Sequence, residues 1–355
     1  MQRDCSGKTR IITSSKGLVN VLASTPNRSI LEGLRNGQSF LLTGTYGTAM
    51  AFYTWLKKQV NLSYPVLNYQ SSRANRNQLH GYTSRLYVRV INNSIDLANA
   101  PKVPWVEELF CEQNEFFIPF TDVLGINGAW QWYIKGVEFP NLGFKLHPFY
   151  DVYFPTRTEH LLLFDKWLES KPNFNRGIDM GTGCGVLTFY MLKHGVKEVL
   201  ATDINPKALQ SINNDAQRLN LSHKIATQQA SLFQGINVKD NDIVVFNPPW
   251  IPDASHNDLD SAMYYPPDFF NTFFNQAYNS LLESCKLVII FSTFAQAAGV
   301  IDRNPIEREL TDNNRFTLIG MNEQPVMQKP SKKKHWLSDI RSKERVQLWE
   351  LVKKT

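Results

Sequence analysis

The sequence predicts an α/β protein: a parallel sheet covered by helices in the C-terminal half, preceded by a smaller domain of mixed α and β structure. Three observations carry this expectation. Near-continuous apolar runs of strand length alternate with helical segments from Arg176 onward, as in a sheet buried on both faces. A glycine loop, Asp179-Met180-Gly181-Thr182-Gly183-Cys184-Gly185, directly follows the first of these runs and leads into a helix. The N-terminal part lacks this alternation and shows hairpin-type patterning instead.

Each element has a local reason. Residues 176–180 read as a first strand running into the glycine loop, and residues 186–192 as a helix stopped at Gly195. Residues 198–202 form a second strand. Asn205 then offers an N-cap, and Pro206 occupies the first helical position, where its missing N–H costs nothing. Residues 225–230, 242–246 and 287–291 supply a third, fourth and fifth strand, and residues 316–320 and 346–352 a closing antiparallel pair. Upstream, Leu86-Tyr87-Val88-Arg89-Val90, the turn Asn92-Asn93-Ser94 and Ile95-Asp96-Leu97 predict a hairpin. Phe40-Leu41-Leu42 leads through Gly44-Thr45-Tyr46-Gly47 into a helix over residues 49–60. The boundary is expected between Pro104 and Pro140, giving an accessory domain over residues 1–140 and a second domain over residues 141–355.

Composition narrows the function classes. With 355 residues the chain has room for about two domains, and 43% hydrophobic with 20% charged residues is ordinary for a globular protein. No apolar run approaches the roughly 20 residues of a membrane helix. Met1-Gln2-Arg3-Asp4-Cys5-Ser6 lacks the apolar core of a signal peptide. Cys5, Cys111, Cys184 and Cys285 form no Cys-x-x-Cys pair, which argues against zinc and a disulfide framework and for a reducing cytoplasm. His147 and His256 have no partners at metal-ligand spacing, so no metal is expected. The net charge of +6 resides in residues 329–355, which hold nine Lys or Arg and three acids; this segment is either a phosphate-facing patch or a solvated basic hairpin.

Three motifs carry chemistry. The glycine loop reads Gly-x-Gly-x-Gly with an acid two residues ahead, unlike the Gly-x-Gly-x-x-Gly of nicotinamide enzymes. Its glycines let a ligand approach the main chain, or serve only to pack a helix on a strand. Asp203 ends the second strand, where an acid accepts hydrogen bonds from both ribose hydroxyls; capping the next helix is the plainer role. Asn247-Pro248-Pro249-Trp250 follows the fourth strand. An amide or aniline-like nitrogen is a poor nucleophile because its lone pair is delocalised. The Asn247 side-chain oxygen and the Pro248 carbonyl can hold its two N–H bonds and turn the lone pair toward an electrophile. Pro249 stiffens the turn, and Trp250 supplies a flat face for a planar substrate. The plainer reading is a proline turn with a buried Trp.

In this order and spacing, the motifs resemble a class I S-adenosylmethionine (SAM) methyltransferase of the Asn-Pro-Pro-Trp/Tyr type that methylates planar amino groups. The chain is similar to release-factor glutamine methyltransferases and to rRNA guanine and adenine N-methyltransferases. The resemblance covers about residues 144–355 and implies a Rossmann-like, seven-stranded methyltransferase domain. It implies SAM as cofactor, held by Asp179, Gly181, Thr182, Gly183, Gly185, Asp203, Ile204, Ser231, Leu232 and Asn247. Asp179 would meet the methionine ammonium. Ser231 stands where relatives often carry an acid bonded to the adenine amino group, and a neutral hydroxyl bonds more weakly. Leu232 flanks the adenine ring or belongs to the core. Phe154-Pro155-Thr156-Arg157-Thr158-Glu159-His160 resembles the Pro-Arg, Thr-Glu segment that lines the site in these families. Thr156, Arg157 and Glu159 are therefore substrate-side candidates, with helix capping by Thr156 or Thr158 and a surface ion pair as the plainer alternative. Asn247, Pro248 and Trp250 take the catalytic roles.

The resemblance leaves the acceptor open. The large first domain and Lys332-Lys333-Lys334 make RNA the expected acceptor, with protein and small molecule as alternatives. Asn-Pro-Pro-Trp-Ile-Pro most resembles the Asn-Pro-Pro-Tyr-Ile-Pro of the glutamine methyltransferases, which points to a protein, and a small molecule is the third option. A SAM-fold module that binds RNA or a partner without catalysis is the alternative from another class. Intact Asp179, Asp203 and Asn247 favour the enzyme.

Overall fold

Seven strands of the C-terminal half form a single sheet: β1 (Arg176–Met180), β2 (Glu198–Asp203), β3 (Ile225–Gln229), β4 (Ile243–Phe246), β5 (Lys286–Ser292), β6 (Phe316–Pro325) and β7 (Arg345–Lys353). They lie in the order β3-β2-β1-β4-β5-β7-β6. The first five run parallel, and β7 is antiparallel to both β5 and β6. The computed structural model describes residues 11–110, 114–171, 174–254, 258–327 and 336–355. Cys5, Cys111, His256 and the Lys332-Lys333-Lys334 run lie outside the described residues. The chain divides into two compact units, Met1–Gln131 and Trp132–Thr355.

The apolar runs that mark the strands are apolar because both faces of the sheet are covered. β4 is buried along its whole length, and Ile178, Val244, Leu287 and Ile289 are fully buried. Each such side chain contributes about 1.5–3 kcal/mol relative to exposure. Helix α1 (Glu159–Glu169) packs Leu161, Phe164 and Leu168 inward, and α2 (Val186–Lys193) buries residues all round. Helix α3 (Pro206–Arg218) starts as its sequence requires, with the Asn205 side chain accepting from the Lys207 amide at 3.0 Å and proline at the first turn. Helix α4 (Phe269–Ser280) places Phe273 and Phe274 in the aromatic core.

Strand β6 runs five residues beyond the expected end at Gly320. A bulge between Leu318 and Gly320 absorbs the irregularity, and β7 offers a partner for the remainder up to Pro325. β6 is an edge strand, and Leu318 and Ile319 stand exposed on it.

In the N-terminal unit, Leu18–Val21, Ser39–Leu42 and Leu86–Ile91 pair in parallel. Ser94–Ile95 and Glu115–Pro119 pair antiparallel to Leu86–Ile91, giving a five-stranded mixed sheet. The expected hairpin is present, and Asn92 and Asn93 both adopt positive φ (46° and 61°), the geometry of a two-residue type I′ turn. The helix expected over residues 49–60 extends over Tyr46–Ser63, because Thr45 caps it by accepting from the Thr48 amide at 3.0 Å. Among the described residues no helix is long and apolar enough to cross a membrane.

The junction of β1 and α2 leaves no room for a side chain. Gly185 has φ +80°, and a Cβ there would lie 2.7 Å from Ile212 Cδ1 on α3. Gly185→Ala should therefore lower stability by about 2 kcal/mol or more through left-handed strain plus overpacking. Denaturant unfolding is the measurement; a loss under roughly 0.5 kcal/mol, the range of neutral substitutions, would contradict this reading.

Candidate active site

Chain order reverses between β1 and β4: β2 and β3 lie to one side of β1, and β5 lies beyond β4. In open α/β sheets this switch point leaves a crevice at the carboxyl ends of the strands. Asp179 lies on β1 and Asp203 closes β2. Ser231 follows β3 by two residues, and Asn247 follows β4 directly. The register sets Asp179 beside Val245 and Met180 beside Phe246, so the glycine loop and the Asn247 turn leave adjacent strands side by side.

Asp179 is completely buried. Its Oδ2 accepts three hydrogen bonds: from Thr182 Oγ1 at 2.7 Å, the Thr188 amide at 2.9 Å and Thr188 Oγ1 at 2.7 Å. Its Oδ1 is sealed from solvent and has no partner. Burial pushes this carboxyl up to about 6; the Thr188 and Thr182 bonds oppose the shift, and the nearby Asp203 charge adds to it. Thr182 thus turns its hydroxyl onto Asp179. Thr188, not among the expected site residues, supplies two of the three bonds. Its signal in the sequence is faint: a hydroxyl inside the apolar run of α2.

All three loop glycines have positive φ: +61° at Gly181, +53° at Gly183 and +80° at Gly185. Cβ atoms there would meet Phe246 at 3.2 Å, the Tyr153 carbonyl at 3.0 Å and Ile212 at 2.7 Å, respectively. Backbone conformation and protein packing therefore require these glycines, whatever ligand approaches. Cys184, between them, is an inert thiol, because burial raises it to about 12.

The Asp203 carboxylate ties the end of β2 to the loop. Its Oδ2 accepts from the Gly183 amide and its Oδ1 from the Asn205 amide, both at 2.9 Å. The next residue, Ile204, is 64% exposed, a large apolar side chain held outside the core. Leu232 has φ +52°, unusual for a branched side chain, and packs on the edge of the core, while Ser231 beside it is exposed. Strain at a non-glycine residue next to a crevice is a feature of functional sites.

At the end of β4 the Trp250 indole N–H donates to Asn247 Oδ1 at 3.1 Å and to the Ile290 carbonyl at 3.3 Å. Pro248 is buried and Pro249 partly so. Trp250 is thus fastened by its polar edge, and His160 packs against its ring with centroids 5.4 Å apart and planes at 89°. The sequence treated His160 as part of a capping segment only.

The segment before α1 departs from its expected capping. Thr158 is the N-cap residue but makes no side-chain cap; the Glu159 carboxylate accepts from the Thr158 amide at 3.1 Å instead. The same carboxylate accepts from the Met327 amide at 3.0 Å and faces Arg157 at 3.4 Å. Arg157 also donates to the Met327 carbonyl at 3.3 Å. Glu159 is buried, so three donors converge on it and leave Thr158 no capping role. Arg157 and Glu159 anchor the chain after β6, and Thr156 is exposed beside them. Of these residues, only the neighbouring His160 reaches Trp250 through a ring contact.

One cluster resembles a metal site among the described residues: ligand atoms of Asp165, Glu169 and His194 lie within 4.8 Å of one another. Asp165 Oδ1 already accepts from Lys193 Nζ at 2.9 Å and pairs with His194 Nε2 at 2.7 Å, and Oδ2 accepts from Asn141 Nδ2 at 2.8 Å. Burial alone would raise this carboxyl; the bonds from His194, Asn141 and Lys193 outweigh it and hold it low. Lys193 thus supplies the cation that a metal would bring.

The Asp179 carboxyl makes a pH prediction. Unfolded, it titrates near 3.8; folded, near about 6. The folded state holds the proton more tightly, so stabilisation present below the lower value is lost as pH rises through the higher. Asp179→Asn cannot ionise. In ligand-free protein, wild-type stability relative to Asp179→Asn should fall by on the order of 2–3 kcal/mol between about pH 4 and pH 6.5. Urea unfolding at a series of pH values measures the difference; a pH-independent difference would refute the raised carboxyl.

Comparison with known proteins agrees with this geometry. Residues 160–319 match the family model described as the methyltransferase small domain. A putative protein N5-glutamine methyltransferase of Methanocaldococcus jannaschii is 29% identical over 133 residues, which are 37% of this chain and 63% of that protein. A ribosomal protein L11 methyltransferase of Listeria monocytogenes is 41% identical over 70 residues, 20% of this chain and 22% of the relative. A ribosomal protein uL3 glutamine methyltransferase of Bordetella pertussis is 28% identical over 102 residues, 28% of this chain and 34% of the relative. The chain therefore spans less than two thirds of the length of these curated relatives. The solved ribosomal protein L11 methylase of Lactobacillus delbrueckii subsp. bulgaricus is 19% identical with a TM-score of 0.37, covering 57% of this chain and 82% of its own. Residues 160–319 of this chain are thus similar to the methyltransferase small domain.

Proposed function

We propose that the protein is a SAM-dependent N-methyltransferase that methylates a planar amide nitrogen, the glutamine side chain of a protein substrate. The observation that carries this reading is the Asn247-Pro248-Pro249-Trp250 turn leaving β4 directly beside the glycine loop of β1. The residues present fit SAM. Asp179 Oδ1 is a buried carboxylate oxygen with no protein partner, suited to an ammonium group or to a water that bridges to one. The main chain of Gly181, Thr182, Gly183 and Gly185 would hold the methionine end. Asp203 would accept the ribose hydroxyls, and Ile204 and Leu232 would flank the adenine, with Ser231 near its amino group. When bound, SAM supplies an electrophilic methyl group.

The chain's own residues then act on the acceptor. Asn247 Oδ1 and the Pro248 carbonyl accept the two N–H bonds of the amide and orient its nitrogen. Both oxygens stabilise the positive charge that grows there as the nitrogen is alkylated. No strong base is needed, because the proton becomes acidic once the new bond forms. Pro249, Thr156, Arg157 and Glu159 border the acceptor side, with Glu159 acting through the chain that it anchors.

A protein acceptor is favoured over RNA for two reasons. Two of the relatives above are named for methylating protein glutamine. The arginines of the N-terminal unit are partly committed: Arg89 pairs with Asp96 at 2.6 Å and Glu115 at 3.6 Å, and Arg85 donates to the Leu34 carbonyl. We assign the N-terminal unit, Met1–Gln131, to substrate recognition.

Calorimetry should show SAM binding to the wild type, weakened by about 1–3 kcal/mol in Asp203→Ala. Wild-type protein that does not bind SAM would overturn the cofactor assignment. Incubating the protein with a cell extract and methyl-labelled SAM should place label on glutamine, located by peptide mass spectrometry. Label confined to RNA would replace the protein reading. With the labelled protein as substrate, Asn247→Ala should lower kcat on the order of a hundredfold with little change in SAM affinity. A near-normal kcat would remove Asn247 from the mechanism.

A further inference from the structure

His160 is the second residue of α1 and is 2% exposed. Its Nε2 is sealed from solvent and has no hydrogen-bond partner. A buried imidazole nitrogen without a partner is uncommon, so hydrogen bonding through Nε2 does not explain its place. The ring meets Trp250 edge to face, at 5.4 Å and 89°, a favoured aromatic geometry. Burial lowers the imidazole to about 4, against the opposing charge of Glu159, so the ring is neutral near pH 7. A neutral ring places no cation beside a nitrogen that gains positive charge during methyl transfer.

Trp250 in turn determines how Asn247 sits. A carboxamide can turn over, exchanging its oxygen for its amino group. The indole N–H is a donor only, so at 3.1 Å it is compatible with the amide oxygen and not with the amino group. The Ile290 carbonyl, 3.3 Å away, shares the same N–H and fixes the indole edge to the end of β5. The oxygen has a second lone pair, which the substrate N–H can use.

We propose that His160 is a positioning residue: its ring holds the Trp250 indole in place, and the indole N–H keeps the Asn247 amide oxygen facing the methyl acceptor. This rests on the function proposed above for Asn247, and it extends the acceptor site to a residue on α1. Its replacement by a side chain without a ring should loosen Trp250 selectively, and a ring of similar outline should restore it.

The test is the indole proton of Trp250 in the full-length, ligand-free protein labelled with ¹⁵N-tryptophan. The chain has eight tryptophans, and the cross-peak absent from Trp250→Phe identifies the one required. His160→Leu, which keeps the site apolar and filled, should speed hydrogen exchange of that proton by about fivefold or more, while the other indoles keep their rates. His160→Phe should return the rate to near the wild-type value, and Asn247→Ala should shift the same resonance. An unchanged rate in His160→Leu overturns the proposal. So does a uniform acceleration of all the indoles, which would mark an ordinary core residue, or a His160→Phe protein that behaves like His160→Leu. A resonance unmoved by Asn247→Ala removes the link from Trp250 to the amide. The readout needs neither SAM nor a substrate. Failure to label glutamine with these shifts intact would therefore refute the substrate and leave the positioning role standing.

Discussion

A buried carboxylate organises the C-terminal unit. Asp179 sits near the end of β1, and its Oδ2 draws the Thr182 hydroxyl of the glycine loop and both the amide and hydroxyl of Thr188 on α2. Strand, loop and helix are thereby locked to one atom. The other oxygen remains buried and unsatisfied. Ligand-free, the site keeps an electrostatic cost that an ammonium group would relieve. Asp203 repeats the device one strand away, tying β2 to the loop through Gly183 and opening α3 through Asn205.

The turn after β4 is built on different physics. Its polar atoms are few, and aromatic packing positions them. Trp250 is fastened by its N–H to Asn247 and Ile290 and bears on His160, while Phe246 one strand residue earlier joins the aromatic core around Phe273. The amide of Asn247 is therefore aimed by a half-buried aromatic wall. Glu159 performs the matching task at the rim: its carboxylate gathers Thr158 and Met327, joining α1 to the chain that leaves β6.

Much of the fold was legible in the residues themselves. Continuous apolar runs mean strands covered on both faces, and the cap at Asn205-Pro206 and the Asn92-Asn93 turn are local chemistry that needs no distant partner. So the parallel strands, α3 and the N-terminal hairpin are found where local pattern places them. The extent of β6 was not legible, because its last five residues are held only by β7, some 20 residues further on, across a bulge. Thr158 illustrates the same limit. Its sequence context suits a cap, but the adjacent Glu159, held in place by the distant Met327 amide, takes the Thr158 amide instead.

What the sequence by itself determined are the residue types and their spacing: an acid ahead of three glycines, a second acid one strand later, and an Asn-Pro-Pro-Trp turn after the fourth strand. These motivate the proposed chemistry, which depends on which groups stand at successive strand ends. The tertiary structure alone decided which atoms remain available. Asp179 keeps one oxygen free of partners because Thr188, nine residues away in sequence, takes the other. The three glycines are needed because Phe246, Tyr153 and Ile212 close in on them from separate elements. His160 meets Trp250 because folding brings the start of α1 against the turn that follows β4. In each case the deciding contact lies between residues distant in the chain, where packing rather than local propensity sets the outcome.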